Sequence, residues 1–412
     1  MNKKCRILHT GDWHLGKRLE DFSRLEEQRV VMDEICQIAN NENVDIVIVS
    51  GDLFDTFNPP AEAVELFYKT LKRLTNGGRR PVIAIAGNHD SPDRIEAPDP
   101  LARECGIIFG GYPNSEVPVF ELETGLKVIV SEEGFIELSI PGKSFPIRLL
   151  ITPYANEYRL KSYLGEENSE EELRSVLHEK WQKLCNKYCD DKGVNILISH
   201  LFMIKKGGVV PEEPEDEKPI LHVGGAQAIY SENIPRQIQY TALGHLHRMH
   251  KVDDFPSPIY YSGSPISYSF SEANQKKYVL IVDATPGETA KVSEVQLSTV
   301  RPLLRKRAYG VDDAIAWLTD NSNALVELTL VTDSYITAKD RRRLNVAHNG
   351  IVTIIPEVLN PDLFAESNKK QIDLNQSMES LFNDYFTHIK GQLPNEDIMN
   401  LFKEILAEED EE

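Results

Sequence analysis

Residues 45–55 read Asp-Ile-Val-Ile-Val-Ser-Gly-Asp-Leu-Phe-Asp. The first half is a short run of β-branched residues, the mark of a strand. The second half turns at Gly51, whose missing Cβ lets the backbone bend tightly. Asp52 and Asp55 follow at once. Strand ends are where the loops of a layered α/β domain converge to build a site.

The same pattern recurs on both sides of this segment. Strand-like runs occupy residues 6–10, 81–86, 147–152, 194–199, 239–243, 258–262 and 278–282. Residues 25–39 and 61–74 read as helices, the second with Val64, Phe67, Leu71 and Leu74 in one stripe. Residues 169–188 give a longer amphipathic helix, with Leu173, Val176, Leu177, Trp181 and Leu184 on one side. Strands interleaved with helices imply an α/β fold of sheets flanked by helices.

The turn Ala284-Thr285-Pro286-Gly287 marks a change in composition. The expected organisation is a principal domain over 1–285 and a small α/β domain over 286–356. The second has strands such as 324–331 and 351–355 and a helix near 311–318. A polar linker over 357–376 and two closing helices with an acidic tail over 377–412 complete the chain. One helix carries Met378, Leu381, Phe382, Tyr385 and Ile389; the other carries Ile398, Leu401, Phe402, Ile405 and Leu406. Residues 205–219, rich in Gly, Pro and Glu, read as a loop.

Five clusters follow directly on strand-like runs. They are Gly11-Asp12-Trp13-His14, Gly51-Asp52-Leu53-Phe54-Asp55, Gly87-Asn88-His89-Asp90, Ser199-His200 and Gly244-His245-Leu246-His247. On an extended segment Asp12 and His14 point the same way, as do His245 and His247. Singly, each cluster is ambiguous: a lone His after a strand is commonly structural, and Asn-His-Asp reads equally well as a turn. Together they offer carboxylate, amide and imidazole donors. That mixture suits Mn²⁺, Fe²⁺ or Zn²⁺ better than Mg²⁺. The donors exceed what one ion needs and fit two ions bridged by a shared carboxylate.

The ordered set resembles the calcineurin-like metallophosphoesterase superfamily. The resemblance implies a layered β-sandwich flanked by helices. It implies that Asp12, His14, Asp52 and His247 hold one metal, and that Asp52, Asn88, His200 and His245 hold the other. His89 would then face the scissile phosphate, oriented by the acid at Asp55. Protein phosphatases of this fold carry Gly-Asp-x-x-Asp-Arg-Gly, whereas Thr56-Phe57 follow Asp55 here. The phrases Gly51-Asp52-Leu53-Phe54-Asp55-Thr56, Thr241-Ala242-Leu243-Gly244-His245-Leu246-His247-Arg248 and Ile259-Tyr260-Tyr261-Ser262-Gly263-Ser264-Pro265 are similar to the SbcD nuclease family.

That likeness implies a Mn²⁺-dependent DNA nuclease with two metal ions. It would act as an exonuclease on double-stranded ends and an endonuclease on hairpins and single strands, in DNA repair, recombination and replication. It also implies an SbcC-type ATPase partner with a long coiled coil, docked on the closing helices, and a homodimer within a heterotetramer. The 286–356 domain would be a DNA-positioning cap. Two rivals stand beside this reading: a small-molecule phosphodiesterase or phosphatase of the same fold, and a non-catalytic scaffold for a DNA-bound ATPase.

Composition sets further bounds. The chain has 412 residues, 41% of them apolar, and a net charge of −20. So acidic a chain runs against nucleic-acid binding. However, the acid is clustered at 166–172, 212–217 and 408–412, while cations cluster at 305–307 and 341–343. Five scattered cysteines give no disulfide framework. Residues 1–4 are polar, and the next apolar run is broken by His9, Asp12 and His14, so no signal peptide is expected. No apolar run is long enough for a membrane span. These features predict a cytoplasmic protein, and the resemblance to a DNA nuclease family implies association with the nucleoid. Gly142-Lys143-Ser144 is not a phosphate-binding loop, because Glu137 stands where that motif needs Gly. His9 and Trp13 are expected to pack beneath the first cluster, and His250 to lie at the surface.

Overall fold

The run Ile46–Val49 is a strand, and its alternate side chains serve two different cores. Ile46 and Ile48 face a layer shared with Ile7, Ile83, Ile196 and Ile198. Val47 and Val49 face the opposite way, toward Val31, Ile35, Phe67 and Leu71. A strand covered on both faces needs apolar residues at every position, which is why this run does not alternate with polar ones.

The computed structural model describes residues 4–161, 169–208, 228–333, 336–359 and 377–390, with residues 394, 398, 399 and 402. Two sheets form the centre. The first has six strands in the order Lys291–Gln296, Tyr278–Ala284, Cys5–Thr10, Ile46–Val49, Val82–Ile85 and Ile107–Gly110. Its last four strands run parallel, with Ile7 opposite Ile46 and Val82 opposite Ile107. The second has eight strands, ordered His250–Asp253, Ile259–Tyr261, Tyr240–Gly244, Val194–His200, Ile147–Thr152, Phe135–Ser139, Lys127–Glu132 and Phe120–Glu121. Parallel pairs again hold its middle, with Ile198 opposite Ala242 and His200 opposite Gly244.

Helices Leu25–Asn41 and Ala61–Leu74 cover the outer face of the first sheet. Helix Ser169–Tyr188 covers the second, laying Leu173, Leu177, Trp181 and Leu184 against Leu150, Leu197 and Leu243. The result is the expected layered α/β sandwich flanked by helices. Sequence reading missed several strands, among them Ile107–Gly110, which extends the first sheet beside Val82–Ile85, and Lys127–Glu132 and Phe135–Ser139, which extend the second beyond Ile147–Thr152.

One expected boundary differs. The turn near 284–287 is a hairpin tip, because Lys291–Gln296 returns antiparallel to Tyr278–Ala284. Composition changes there because the returning strand is an edge, with only Val292 and Val295 partly covered. A separate three-stranded sheet is built from Leu303–Tyr309, Leu325–Thr332 and Ile351–Val358, with helices Val311–Asp320 and Ala338–Ala347. Two compact units are distinguished: residues 1–330 with 337–355, and residues 331–336 with 356–412. In the second, helix Met378–Lys390 stacks Phe382 on Phe402, ring centroids 4.0 Å apart. Most of the 205–219 loop, most of the 357–376 linker, the acidic tail, and Leu401, Ile405 and Leu406 lie outside the described residues. Among those described, no helix is long and apolar enough to cross a membrane.

Candidate metal centre

The strands Cys5–Thr10, Ile46–Val49 and Val82–Ile85 of one sheet, and Val194–His200 and Tyr240–Gly244 of the other, each end in one of the five clusters. Backbone hydrogen bonds join the first two clusters: Asp12 N–H donates to Gly51 O at 2.9 Å and His14 N–H to Asp52 O at 2.9 Å. Asp12, His14 and Asp52 all take positive φ, at 50°, 40° and 47°. The loops are therefore tight turns and not extended chain. This corrects the expectation that His245 and His247 share a direction: His245, at φ 110°, reaches Asn88, while His247 reaches His14.

Two glycines permit this closeness. A Cβ on Gly51 would stand 2.2 Å from His200 Nδ1, and one on Gly87 would stand 2.2 Å from Asp52 N. Both are far inside van der Waals contact, so a side chain would push a site residue away.

The side chains converge on Asp52. Its Oδ2 lies 3.5 Å from His14 Nε2 and 3.3 Å from His200 Nε2. His14 Nε2 is 3.0 Å from His247 Nε2. Asn88 Oδ1 is 3.0 Å from both His200 Nε2 and His245 Nδ1. Asp12 Oδ1 accepts from His245 N–H at 2.8 Å, while its buried Oδ2 has no hydrogen-bond partner. Two donor groups result, His14 with Asp52 and His89, and Asp52 with His200 and His245. An orphaned carboxylate oxygen beside converging ring nitrogens is a donor set for cations, since only a cation satisfies that many lone pairs in a buried space. No cysteine takes part.

Electrostatics agree. Burial pushes Asp12 up to about 7 despite the histidines nearby. Burial alone would raise Asp52 too, but His200, His14 and His89 hold it well below the usual carboxylate range. Burial would lower His200, yet Asp52 and Asp12 draw it up to about 9. His245 falls to about 3, chiefly through burial. Asp52 is thus the carboxylate of the site that its neighbours hold ionised.

Residues 5–249 match the model of the family described as calcineurin-like phosphoesterase. The chain is 37% identical, in an alignment 418 positions long that covers 99% of both chains, to the D subunit of nuclease SbcCD from Bacillus subtilis. The chain belongs to the SbcD family. Proteins of the same name from Staphylococcus epidermidis and Rhodobacter capsulatus are each 30% identical. They align over 72% and 74% of this chain and over 71% and 72% of their own. As an SbcD-family phosphoesterase, the chain is a metal-dependent phosphodiesterase.

Within this SbcD-family site, one residue departs from expectation. His89 Nδ1 donates to the backbone carbonyl of Asp55 at 2.9 Å. The Asp55 carboxylate turns instead to Lys17 Nζ at 3.0 Å, with His14 Nδ1 3.8 Å away. The reason is local: the carbonyl already fills the position beside His89, leaving the side chain free to meet a cation.

Several supporting residues escaped sequence reading. The buried Asp90 carboxylate accepts from the N–H groups of Leu53, Phe54 and Gly87 at 3.0, 2.9 and 2.8 Å. Arg159, also buried, donates to the carbonyls of Gly87 and Asp90 at 2.7 and 2.8 Å. Gln28 Nε2 donates to His14 O at 2.8 Å. Glu272 Oε1 lies 3.4 Å from His247 Nδ1, and its other oxygen pairs with buried Lys277. Asp90 at least belongs to a cluster, though with no role read for it. Arg159, Gln28 and Glu272 sit in ordinary helix or loop sequence and carry no local signal. His9 and Trp13 pack as expected, bonding Tyr240 Oη at 2.8 Å and Thr10 Oγ1 at 3.0 Å. His250 is only half-buried, stacked on Tyr261 with centroids 4.9 Å apart.

Proposed function

We propose that this chain is the DNA nuclease subunit of an SbcC–SbcD type complex, cutting phosphodiester bonds with two divalent cations, Mn²⁺ preferred. Asp12, His14, Asp52 and His247 would hold one ion, and Asp52, Asn88, His200 and His245 the other. The single observation that carries the reading is the buried Asp52 carboxylate, flanked by a histidine of each group at 3.5 and 3.3 Å. A carboxylate in that position is what a bridge between two ions requires.

Bound divalent cations supply Lewis acidity and lower the pKa of water, which gives a nucleophile at neutral pH. The chain's own part is orientation and proton transfer. A carbonyl only accepts, so the bond from His89 Nδ1 to Asp55 O fixes that nitrogen as a donor. A second proton on Nε2 can then pass to the leaving oxygen, a role worth about 10²–10⁴ in rate. The bond from His200 Nδ1 to Ser50 O, 2.8 Å, likewise turns Nε2 inward as a ligand.

The small sheet that starts at Leu303–Tyr309 is proposed, with its two helices, to position DNA, with 305–307 and 341–343 as its cationic surface. The stripes of the closing helices suit helix-in-groove docking on the ATPase. Deleting residues 373–412 should leave metal-dependent cleavage of simple DNA intact and weaken co-purification with an SbcC-type protein. The deciding assay is cleavage of end-labelled hairpin DNA, with and without Mn²⁺, beside a chromogenic phosphodiester. Hairpin cutting stimulated by Mn²⁺ is the expected outcome. Turnover of the small diester with none of DNA would make the chain a small-molecule phosphodiesterase.

A further inference from the structure

We infer that Lys17 is the cation that contacts the scissile phosphate, an inference that rests on the reading of the site as a phosphodiesterase centre. Lys17 stands one tight turn after His14, its N–H donating to His14 O at 3.0 Å. Its Nζ bonds Asp55 Oδ1 at 3.0 Å, and the carbonyl of that same Asp55 holds His89. The rings of His14 and His89 are 4.8 Å apart. Nζ also lies 5.8 Å over the ring of Tyr268, which meets His14 at 5.3 Å. The ammonium is therefore fixed at the rim of the site, beside the residue proposed to protonate the leaving group.

Charge and exposure separate it from the buried cations around the site. A phosphodiester arrives with one negative charge and gains more as it is attacked, so a cation aimed at its oxygens favours the transition state. Arg159 is buried and spent on backbone carbonyls. Lys277 is buried and spent on Glu272, Ser264 Oγ and His247 O. Arg24 is buried against Ser267 O and Glu27. The Lys17 side chain is 28% exposed, and its partner Asp55 is 26% exposed. Exchanging one partly solvated anion for another costs little, because neither charge is stranded in the core. The loop after Asp55 offers no alternative, as Thr56 and Phe57 follow it.

Space is available as well. Lys17 lines a cavity of about 550 Å³ shared with Arg18, Glu20, Tyr268, Phe270, Arg305 and Glu327. A nucleotide flanking the cut bond has room there. The geometry thus makes Lys17 a cation that swaps Asp55 for a non-bridging phosphate oxygen when substrate enters.

The test compares Lys17→Met, Lys17→Arg and Asp55→Asn with the unaltered chain. Lys69→Met, a change in an exposed helical ion pair with Glu65, controls for net charge. Cleavage of a DNA hairpin and of bis(p-nitrophenyl) phosphate, inhibition by inorganic phosphate, and bound Mn²⁺ are all measured. Lys17→Met should lower kcat/KM about ten- to a hundredfold on both substrates, the scale of a charged hydrogen bond. It should weaken phosphate inhibition in parallel and leave bound metal unchanged. Lys17→Arg should restore most of the loss, and Lys69→Met should match the unaltered chain. Asp55→Asn frees the lysine and should keep or tighten phosphate inhibition. If Asp55→Asn weakens it as much as Lys17→Met does, Lys17 merely braces Asp55 and the inference is overturned. Unaltered rates in Lys17→Met, or loss of its metal, overturn it too. An unaltered chain that cuts neither substrate would sink the phosphodiesterase reading itself, a separate and recognisable result.

Discussion

The loops around Asp52 and the small sheet beyond Leu303 are both rich in charge, and they handle it in opposite ways. In the first region Asp12, His14, Asp90 and His200 are almost wholly buried. Dedicated partners hold them: Asp90 has three backbone N–H donors, and the main chain beneath is gripped by Arg159 and Gln28. In the second region charge faces water. Arg343 pairs with Asp312 at 2.6 Å, but the two side chains are 45% and 88% exposed. Burying a charge is costly unless partners compensate, so buried charge is kept where chemistry needs a fixed donor set. Solvated charge on the small sheet demands no such frame, and it can be rearranged without disturbing the fold.

That contrast can be broken by substitution. The largest effect is expected for Asp52→Ala, which removes the carboxylate common to both donor groups. Bound Mn²⁺ by elemental analysis and nuclease activity should both vanish, as they should on chelation of the unaltered chain. Retention of two ions would mean that Asp52 bridges nothing. His89→Ala should lower activity by about 10²–10⁴ while the ions stay bound, since the other donors are intact. Loss of metal in that variant would make His89 a ligand and not an acid.

Asp90→Ala tests the frame and leaves the donors alone. Three buried N–H groups would lose their acceptor, so chemical denaturation should show a loss of about 3 kcal/mol or more. A loss below about 1 kcal/mol would show that water replaces the carboxylate and that the frame is softer than its geometry implies. Arg343→Ala, in the exposed region, should change stability by less than about 0.5 kcal/mol and leave cleavage of the small diester untouched. A larger cost there would erase the distinction between the two regions.

Much of the fold was legible in advance because its signals are local. Runs such as Ile46–Val49 and Val82–Ile85, and stripes such as Val64, Phe67, Leu71 and Leu74, announce element type within a few residues. The missed strands Lys127–Glu132 and Phe135–Ser139 mix buried with partly exposed positions and carry Glu132 and Glu137, which dilutes the same signal. The hairpin at 284–287 was misread as a domain boundary, since a turn looks the same whether the chain leaves a sheet or returns to it.

For the site, the sequence alone determined which side chains stand at strand ends: Asp12, His14, Asp52, Asp55, Asn88, His89, His200, His245 and His247. They fall in five clusters, each placed by its own strand and its own small residue, an arrangement written in consecutive positions. Only the tertiary structure decided how they face one another. Asp52 lies between His14 and His200, His247 turns to His14 while His245 turns to Asn88, and Asp55 offers its carbonyl to His89 and its carboxylate to Lys17. These pairings join residues up to 233 positions apart in the chain. They depend on the turn angles at Asp12, His14 and His245 and on how the ends of the two sheets meet, and neither is encoded in any single stretch of residues.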